Sequence, residues 1–132
     1  MQIGTLATQA GVAVDTVRYY ERKGLLPAAR RRPSGYRDYG ADELARLRFI
    51  RRAKALGFSL ADIGELLDLS SRRAADMAGM KRAAVQKLAE VDARMDELAR
   101  IRAGLQALVA SCPGHGALAS CPILHALDED TP

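Results

Sequence analysis

Cysteine is the residue type with the most specific chemistry in this chain. The 132-residue sequence has two, Cys112 and Cys121, separated by eight residues in the run Cys112-Pro-Gly-His-Gly-Ala-Leu-Ala-Ser-Cys121-Pro. Cysteine thiolates bind soft metal ions such as Cu(I) and borderline ions such as Zn(II). Because a glycine-rich loop can curl to bring two thiolates to one ion, the sequence predicts a site for a thiophilic metal ion.

Redox compartment decides what else two cysteines can do. The start of the chain, Met1-Gln2-Ile3-Gly4, lacks the basic stretch and apolar block of a signal peptide. No apolar run reaches the length of about 18 residues that a membrane span requires. We therefore expect a cytoplasmic protein without a membrane partner, in which thiols stay reduced. Metal binding, a dithiol redox switch and plain burial remain open for the cysteine pair.

Charge is distributed unevenly along the chain. Residues 1–60 hold 12 Lys and Arg against 5 Asp and Glu, whereas residues 61–132 hold 8 against 11. A basic first half is the electrostatic pattern expected of a nucleic-acid-binding domain. The sequence shows no nucleophile–base pair, phosphate-binding loop or pair of catalytic acids, so we do not expect an enzyme.

The first half of the chain has the pattern of a winged helix-turn-helix domain. Apolar spacing predicts a helix over residues 3–10 and another from about 15 to 24, joined by a turn at Gly11. Arginine-rich residues then flank a Pro-Ser-Gly turn, which predicts a small hairpin, the wing. Two more helices, from about 41 to 56 and from 60 to 69, complete a DNA-binding domain over residues 1–69.

A long helix follows over residues 75–110. Its apolar residues recur every four and three positions, which is typical of a coiled-coil seam, from Met80 to Val109. A helix of this length is about 50 Å long and has no apolar surface of its own to pack against. We therefore predict a homodimer joined by this helix. Residues 111–132 form a third segment with the cysteine loop, a short apolar helical turn from Pro122 to Leu127 and an acidic tail.

Several runs of residues together resemble the MerR family of transcription regulators. These are Thr16-Val17-Arg18-Tyr19-Tyr20-Glu21-Arg22-Lys23-Gly24-Leu25-Leu26-Pro27, Gly35-Tyr36-Arg37-Asp38-Tyr39 and Leu56-Gly57-Phe58-Ser59-Leu60, followed by the long helix and the cysteine loop. The resemblance implies a mainly α fold: a winged helix-turn-helix domain, a long antiparallel coiled-coil dimerisation helix and a C-terminal metal-binding loop.

The second helix of a helix-turn-helix reads base edges with its N-terminal side chains. Thr16 and Arg18 are placed there for contact with bases or phosphates. By resemblance one of Tyr19 and Tyr20 holds the DNA backbone, with Tyr20 preferred, although core packing is the alternative for either. The resemblance also makes Tyr36 and Arg37 backbone clamps in the wing. Further candidates for phosphate contact are Arg30, Arg31, Arg32, Arg51 and Lys54.

The resemblance also bears on which metal ion is bound. Divalent-ion sensors of the family generally add a third cysteine near the start of the dimer helix, and the matching position falls on or near Met77. Two thiolates with one Cu(I) keep one net negative charge, so we expect Cu(I), with Ag(I) and Au(I) as mimics. The loop length, however, resembles the mercury branch. His115 and His125 could complete a four-ligand site, and Met77 could add a thioether, so Zn(II), Cd(II), Pb(II) and Hg(II) remain alternatives.

These expectations combine into a switch between metal and DNA. The homodimer would hold a palindromic operator, and metal binding would distort the DNA so that RNA polymerase can use the promoter. The resemblance implies target genes for metal efflux or detoxification. A redox-sensing regulator that uses Cys112 and Cys121 as a dithiol switch is the main rival.

Overall fold

The computed structural model describes residues 1–27, 30–31, 37–72 and 76–129, with the backbone alone described at Arg30, Arg31 and Arg37. Helices in order are α1 (Ile3–Ala10), α2 (Val14–Arg22), α3 (Ala41–Ala55), α4 (Leu60–Ser71), α5 (Ala78–Ser111) and α6 (Pro122–Asp128). Two short strands, β1 (Arg30–Arg31) and β2 (Arg37–Asp38), lie between α2 and α3, and a 3-10 turn spans Leu118–Ser120. Across these ranges no helix is long and apolar enough to cross a membrane.

The chain divides into two compact units, Met1–Ala84 and Val85–Pro132. The first unit includes the opening turns of α5. The sequence pattern instead predicts one segment for the whole of this helix, separate from the DNA-binding domain. The predicted boundaries at 69, 75 and 110 lie near the ends of α4 and α5, whereas the division by compactness lies inside α5.

The core of the first unit draws on every helix from α1 to α4. Apolar side chains at helical spacing face inward because one stripe of each short helix must leave water. The largest fully buried side chains are Leu6, Val17, Leu26, Tyr39, Leu47, Ile50 and Ile63. Full burial of one such aliphatic side chain stabilises the fold by about 1.5–3 kcal/mol. This core fixes α2 and the β-hairpin relative to each other.

Helix ends show why the predicted bounds largely hold. Gly11 ends α1 in the left-handed region at φ 71°, a conformation that favours glycine. Ser59 begins α4 with a reciprocal cap: its Oγ accepts from the Asp62 N–H at 3.1 Å, and its N–H donates to Asp62 Oδ2 at 3.0 Å. The predicted α4 ended two residues early. Ser70 and Ser71 extend the helix because their hydroxyls donate to carbonyls three residues back, at 2.8 and 2.6 Å.

The long helix α5 runs over 34 residues and has no buried side chain within the single chain. Its predicted apolar seam is exposed, with Leu98 at 63%, Leu105 at 57% and Val109 at 69%. The predicted start at 75 lies among residues 73–75, which are outside the described ranges. Asp76 Oδ1 accepts from the Ala78 N–H at 3.3 Å, which caps the first turn of the helix.

Candidate nucleic-acid interface and metal centre

The helix-turn-helix presents one face of α2 to solvent. Val17 is fully buried, whereas Arg18 is exposed and Thr16 is half-buried. The Arg18 Nη1 atom lies 4.0 Å from Asp15 Oδ1, at the edge of ion-pair range. An exposed pair of this kind contributes little to stability, so Arg18 can exchange its partner at little cost. Arg18 is therefore accessible to a ligand and Thr16 partly so, and their contact with DNA stays a prediction.

The two adjacent tyrosines of α2 have opposite environments. Tyr20 is 4% exposed and packs in the core, whereas Tyr19 is 37% exposed. The ring centroids lie 5.8 Å apart with an interplanar angle of 54°. The structure contradicts the preference for Tyr20 as the DNA-backbone contact, because that side chain is committed to the core. Tyr19 is the tyrosine of α2 that faces solvent.

Two cations beside Tyr19 were missed by the sequence reasoning. The Arg22 guanidinium carbon lies 5.9 Å from the Tyr19 ring centroid, and the Lys23 Nζ atom lies 5.6 Å from it. Residues three and four positions apart are neighbours on a helix surface. That spacing from Tyr19 was the signal that could have identified both. Instead, the two residues were read only as part of the family motif.

The wing is present as a minimal antiparallel hairpin. Arg30 pairs with Asp38 and Arg31 pairs with Arg37 along the two strands. The hairpin was predicted from its turn residues, and its strands are confirmed. Tyr36 and Arg32 lie outside the described residues, and so do the side chains of Arg30, Arg31 and Arg37. Their contacts with DNA stay predictions.

The second strand of the wing is anchored by the residue that follows it. Tyr39 is 1% exposed and its hydroxyl donates a hydrogen bond to Glu21 Oε1, on α2. The amino group of Met1 donates to Asp38 Oδ1 at 2.7 Å and to the Tyr39 carbonyl at 2.6 Å. The Tyr39 N–H in turn donates to the Met1 carbonyl at 2.8 Å. The wing strand is thus tied to α2 by a side chain and to the start of the chain by its backbone.

Arg51 has a hydrogen-bond partner within the head, the DNA-binding domain predicted over residues 1–69. Its Nη1 donates to the Ala10 carbonyl at 3.3 Å, at the C-terminal end of α1. A Cβ atom at Gly11 would lie 2.5 Å from the same Nη1 atom, so the guanidinium packs directly on the turn. A cation here also complements the negative end of the α1 dipole. Arg51 therefore holds the helix-turn-helix turn, while Lys54 is exposed and stays a predicted DNA contact.

The cysteine loop begins where α5 ends and finishes where α6 begins. Cys112 directly follows α5, and Cys121 is the N-cap residue of α6. Between them Gly114 and Gly116 adopt φ of 82° and 109°, the left-handed region open to glycine, which lets the chain reverse in few residues. The loop encloses a concavity of about 340 Å³ lined by both cysteines. Both thiols are half-buried.

The environment of Cys121 favours its thiolate. Its Sγ accepts a hydrogen bond from the Leu124 N–H at 3.5 Å. That bond is the main cause that lowers the pKa of the Cys121 thiol below its ordinary value, against an opposing effect of burial. The Ile123 N–H and the side chain of Cys112 lower the pKa further. Both cysteines also line the same loop concavity, and their action as one metal site stays a prediction.

Of the additional ligands considered from the sequence, His115 lines the loop concavity with both cysteines, whereas Met77 lies in the first unit. His115 is exposed, with Nδ1 at 3.2 Å from the Pro113 carbonyl, and His125 Nε2 donates to the Ala119 carbonyl at 2.6 Å. Met77 is 82% exposed and lines a cavity of about 660 Å³ in the first unit. Among the described residues no three His, Cys, Asp or Glu side chains gather as a metal-binding group. Each histidine contacts a carbonyl through one ring nitrogen, so in a four-ligand site it would bind the ion through the other.

Comparison with known proteins agrees with this architecture. A family model described as "MerR HTH family regulatory protein" matches residues 1–70. A second, described as "MerR, DNA binding", matches residues 44–108. Together they span the helix-turn-helix, the wing, α3, α4 and most of α5.

Individual relatives match over nearly the whole chain. The "Mercuric resistance operon regulatory protein" of Bacillus cereus is 37% identical over 126 residues, covering 96% of each chain. The "HTH-type transcriptional regulator CueR" of Salmonella typhimurium is 36% identical over 124 residues, covering 94% of this chain and 89% of that one. The crystal structure of the regulator PbrR691 from Ralstonia metallidurans CH34 in complex with lead(II) superposes with a TM-score of 0.88 at 35% identity, covering 96% of this chain and 98% of that one.

Proposed function

Because this chain belongs to the MerR family of helix-turn-helix regulators, we propose that it holds one thiophilic metal ion between Cys112 and Cys121 and uses it to switch a promoter. It is a metal-responsive, non-enzymatic transcriptional regulator of this family. The observation that carries the proposal for the site is the convergence of the two half-buried thiols on one loop, where backbone N–H groups favour the thiolate of Cys121.

The donor set favours a monovalent soft ion. The chain has two cysteines in all, so one copy supplies two sulfur ligands. Soft thiolates select ions such as Cu(I), and two thiolates with one Cu(I) leave one net negative charge. The Leu124 and Ile123 N–H groups that favour the Cys121 thiolate are suited to such an anionic centre. We propose Cu(I), with Ag(I) and Au(I) as mimics.

A divalent ion is the alternative. The relatives include proteins named for mercuric resistance and a structure solved with lead(II). A tetrahedral ion would require two more ligands, for which His115 and His125 are the nearest in sequence. In that case each histidine would bind the ion through the ring nitrogen that does not contact a carbonyl. Met77 of a second copy is a further candidate.

The switch uses the DNA-reading face of the head. Thr16 and Arg18 on α2, with Tyr36 and Arg37 of the wing, are the proposed contacts. A homodimer formed through α5 would match a palindromic operator by its two-fold symmetry. Bending and undertwisting the operator costs about 1–6 kcal/mol. The difference in metal affinity between the two DNA-bound states must supply that free energy.

The link from the loop to DNA follows the chain itself. Cys112 comes directly after α5, and the first turns of α5 belong to the compact unit that contains α2. We propose that the apo and metal-bound states occupy the same operator, and that RNA polymerase uses the promoter in the second state. The target genes would encode proteins of metal efflux or detoxification. The regulator itself would act in the cytoplasm, where thiols are kept reduced.

A promoter–reporter assay across Cu, Ag, Au, Zn, Cd, Pb and Hg tests the proposal. We expect induction by Cu, Ag and Au, and loss of induction in Cys112→Ser and in Cys121→Ser. Ser120→Ala is the matched control, because it alters the same loop and keeps both sulfur atoms. Induction by Zn, Cd, Pb or Hg alone would contradict the choice of Cu(I) and support a divalent sensor.

A redox switch is a second candidate because the two cysteines lie on one loop and line the same concavity. Peroxide could oxidise them to a disulfide, with loss of both thiol protons and reduction of the peroxide to water. This candidate predicts induction by peroxide without added metal. Induction by metal under strictly reducing conditions, with none by peroxide, would exclude it.

A further inference from the structure

The C-terminal turn of α2 carries a cluster of one aromatic ring and two cations. Arg22 and Lys23 lie 5.9 and 5.6 Å from the Tyr19 ring centroid, within the distance of about 6 Å at which cations are attracted to an aromatic face. Both cations are exposed, and Tyr19 is 37% exposed. The cluster is therefore held together on the surface and is accessible to a ligand.

Position along α2 indicates what that ligand is. Asp15, Arg18, Tyr19 and Arg22 share the exposed face, opposite the buried Val17. One turn separates Arg18 from Arg22, a rise of about 6 Å. Recognition helices address base edges with their N-terminal residues. The next turn on the same face then lies where the helix passes the DNA backbone, where cations meet phosphates.

The ring has a clear physical role between the two cations. Two neighbouring positive charges repel each other, and long side chains lose rotamer freedom when they bind. A shared aromatic face offsets part of the repulsion and orders both side chains before DNA arrives. A hydroxyl contact from Tyr19 is not needed for this role, since the attraction depends on the ring.

We propose that Arg22 and Lys23 form a phosphate-binding pair at the end of α2, with the ring of Tyr19 as the platform that positions them. The pair binds the DNA backbone and carries no base specificity. This inference rests on the proposed function, because it requires that α2 lies against duplex DNA. It assigns Tyr19 a positioning role through its ring, where the sequence had suggested a direct contact.

Salt dependence of DNA binding tests the pair. The probes are a palindromic operator selected in vitro from a random duplex pool and a random-sequence duplex, each titrated by fluorescence anisotropy at several salt concentrations. Each lost phosphate contact lowers the slope of log affinity against log salt by about 0.9, and a homodimer loses two, or about 1.8. We expect this change of slope in Arg22→Gln and in Lys23→Gln. Each variant should lose affinity by the same factor on the operator and on the random-sequence duplex, because the pair carries no base specificity.

Two further sets of variants distinguish the effect of the Tyr19 ring on DNA binding from the effect of its hydroxyl, and the effect of the two cations from that of net charge alone. Tyr19→Phe keeps the ring and should bind like the wild type, whereas Tyr19→Leu should lose affinity on both probes. Arg100→Gln removes the same charge from an exposed position of α5 and should leave the slope unchanged. Circular dichroism would confirm that each variant is folded.

The outcomes distinguish this inference from the proposed function. An unchanged slope in both Arg22→Gln and Lys23→Gln overturns the phosphate pair. Equal losses in Tyr19→Phe and Tyr19→Leu overturn the platform, because they assign the contact to the hydroxyl. Failure of the wild type to select any duplex contradicts the proposed function itself.

Discussion

Cys121 combines two roles at the scale of a single residue. It begins α6 as the N-cap, and its sulfur accepts a backbone N–H that an oxygen side chain would usually accept. The same bond lowers the pKa of the thiol, so the group that caps the helix is also the better metal ligand. If Cys121 holds the ion, as we propose, metal binding and the start of α6 are coupled through one atom.

The lowered pKa predicts a shifted pH dependence of thiol reactivity. The folded pKa of Cys121 lies below the unfolded value, so the thiolate persists to lower pH in the folded protein. In a Cys112→Ser variant, which has one thiol, the midpoint of the pH–rate profile for alkylation by iodoacetamide should be lower in the native state than in denaturant. Equal midpoints in the two states would contradict the role of the Leu124 and Ile123 N–H groups.

Residue types suggested the metal site, which stays a proposal, but could not distinguish the tyrosines. The cysteine pair was predictable because sulfur chemistry is specific and the chain has no other thiol. Tyr19 and Tyr20 have the same chemistry, and adjacent helical positions point in different directions. Only the packing of α2 shows that Tyr20 enters the core while Tyr19 stays at the surface.

At the scale of elements, the turn of the helix-turn-helix depends on a glycine and a distant arginine. Gly11 ends α1 at positive φ, and Arg51 from α3 lies over it and binds the Ala10 carbonyl. The glycine was predictable as a helix stop. The arginine was not, because 40 residues separate it from the turn and its basic side chain suggested DNA.

Substitution at Gly11 should therefore destabilise the head. Gly11→Ala places a Cβ at positive φ, which costs about 1–2 kcal/mol, and that atom would meet Arg51 Nη1 at 2.5 Å. Gly4→Ala is the matched control, since its Cβ meets nothing within 4 Å and alanine favours a helix by up to about 1 kcal/mol. Urea unfolding followed by circular dichroism measures both. A Gly11→Ala variant as stable as the wild type would contradict this role.

The hydrogen bond from Tyr39 to Glu21 should stabilise the wing against α2. Tyr39→Phe keeps the buried ring and removes the hydroxyl, which we expect to cost about 1–3 kcal/mol because a partly buried carboxylate loses one hydrogen-bond donor. Tyr19→Phe, at an exposed ring, should leave the free energy of unfolding nearly unchanged. If the two variants unfold at the same urea concentration, the bond does not stabilise the head.

At the scale of the whole molecule, α5 leaves a row of apolar side chains without cover. Met95, Leu98, Leu105 and Val109 are each more than half exposed in the single chain. The heptad spacing predicted both this helix and the side of it that is apolar. The identity of the metal ion was not predictable in the same way, because two sulfur ligands suit several soft ions.

Carboxylates introduced into this row of apolar side chains should dissociate the predicted dimer. Leu98→Asp combined with Leu105→Asp would bury carboxylates in the predicted seam, so sedimentation velocity should show a monomer and operator affinity should fall. Arg100→Gln, at an outward heptad position, should remain dimeric. A double variant that sediments as a dimer would show that α5 is not the interface.

In the proposed switch, one ion between Cys112 and Cys121 converts an operator-bound state that is repressing or silent into an active one. Run-off transcription with purified RNA polymerase tests it most directly, using an operator-containing promoter and the wild type, Cys112→Ser or Cys121→Ser, each with and without Cu(I) under reducing conditions. We predict more transcript with Cu(I) for the wild type alone, while all three proteins occupy the operator equally without metal. Metal-dependent transcription that persists in both serine variants would contradict the account.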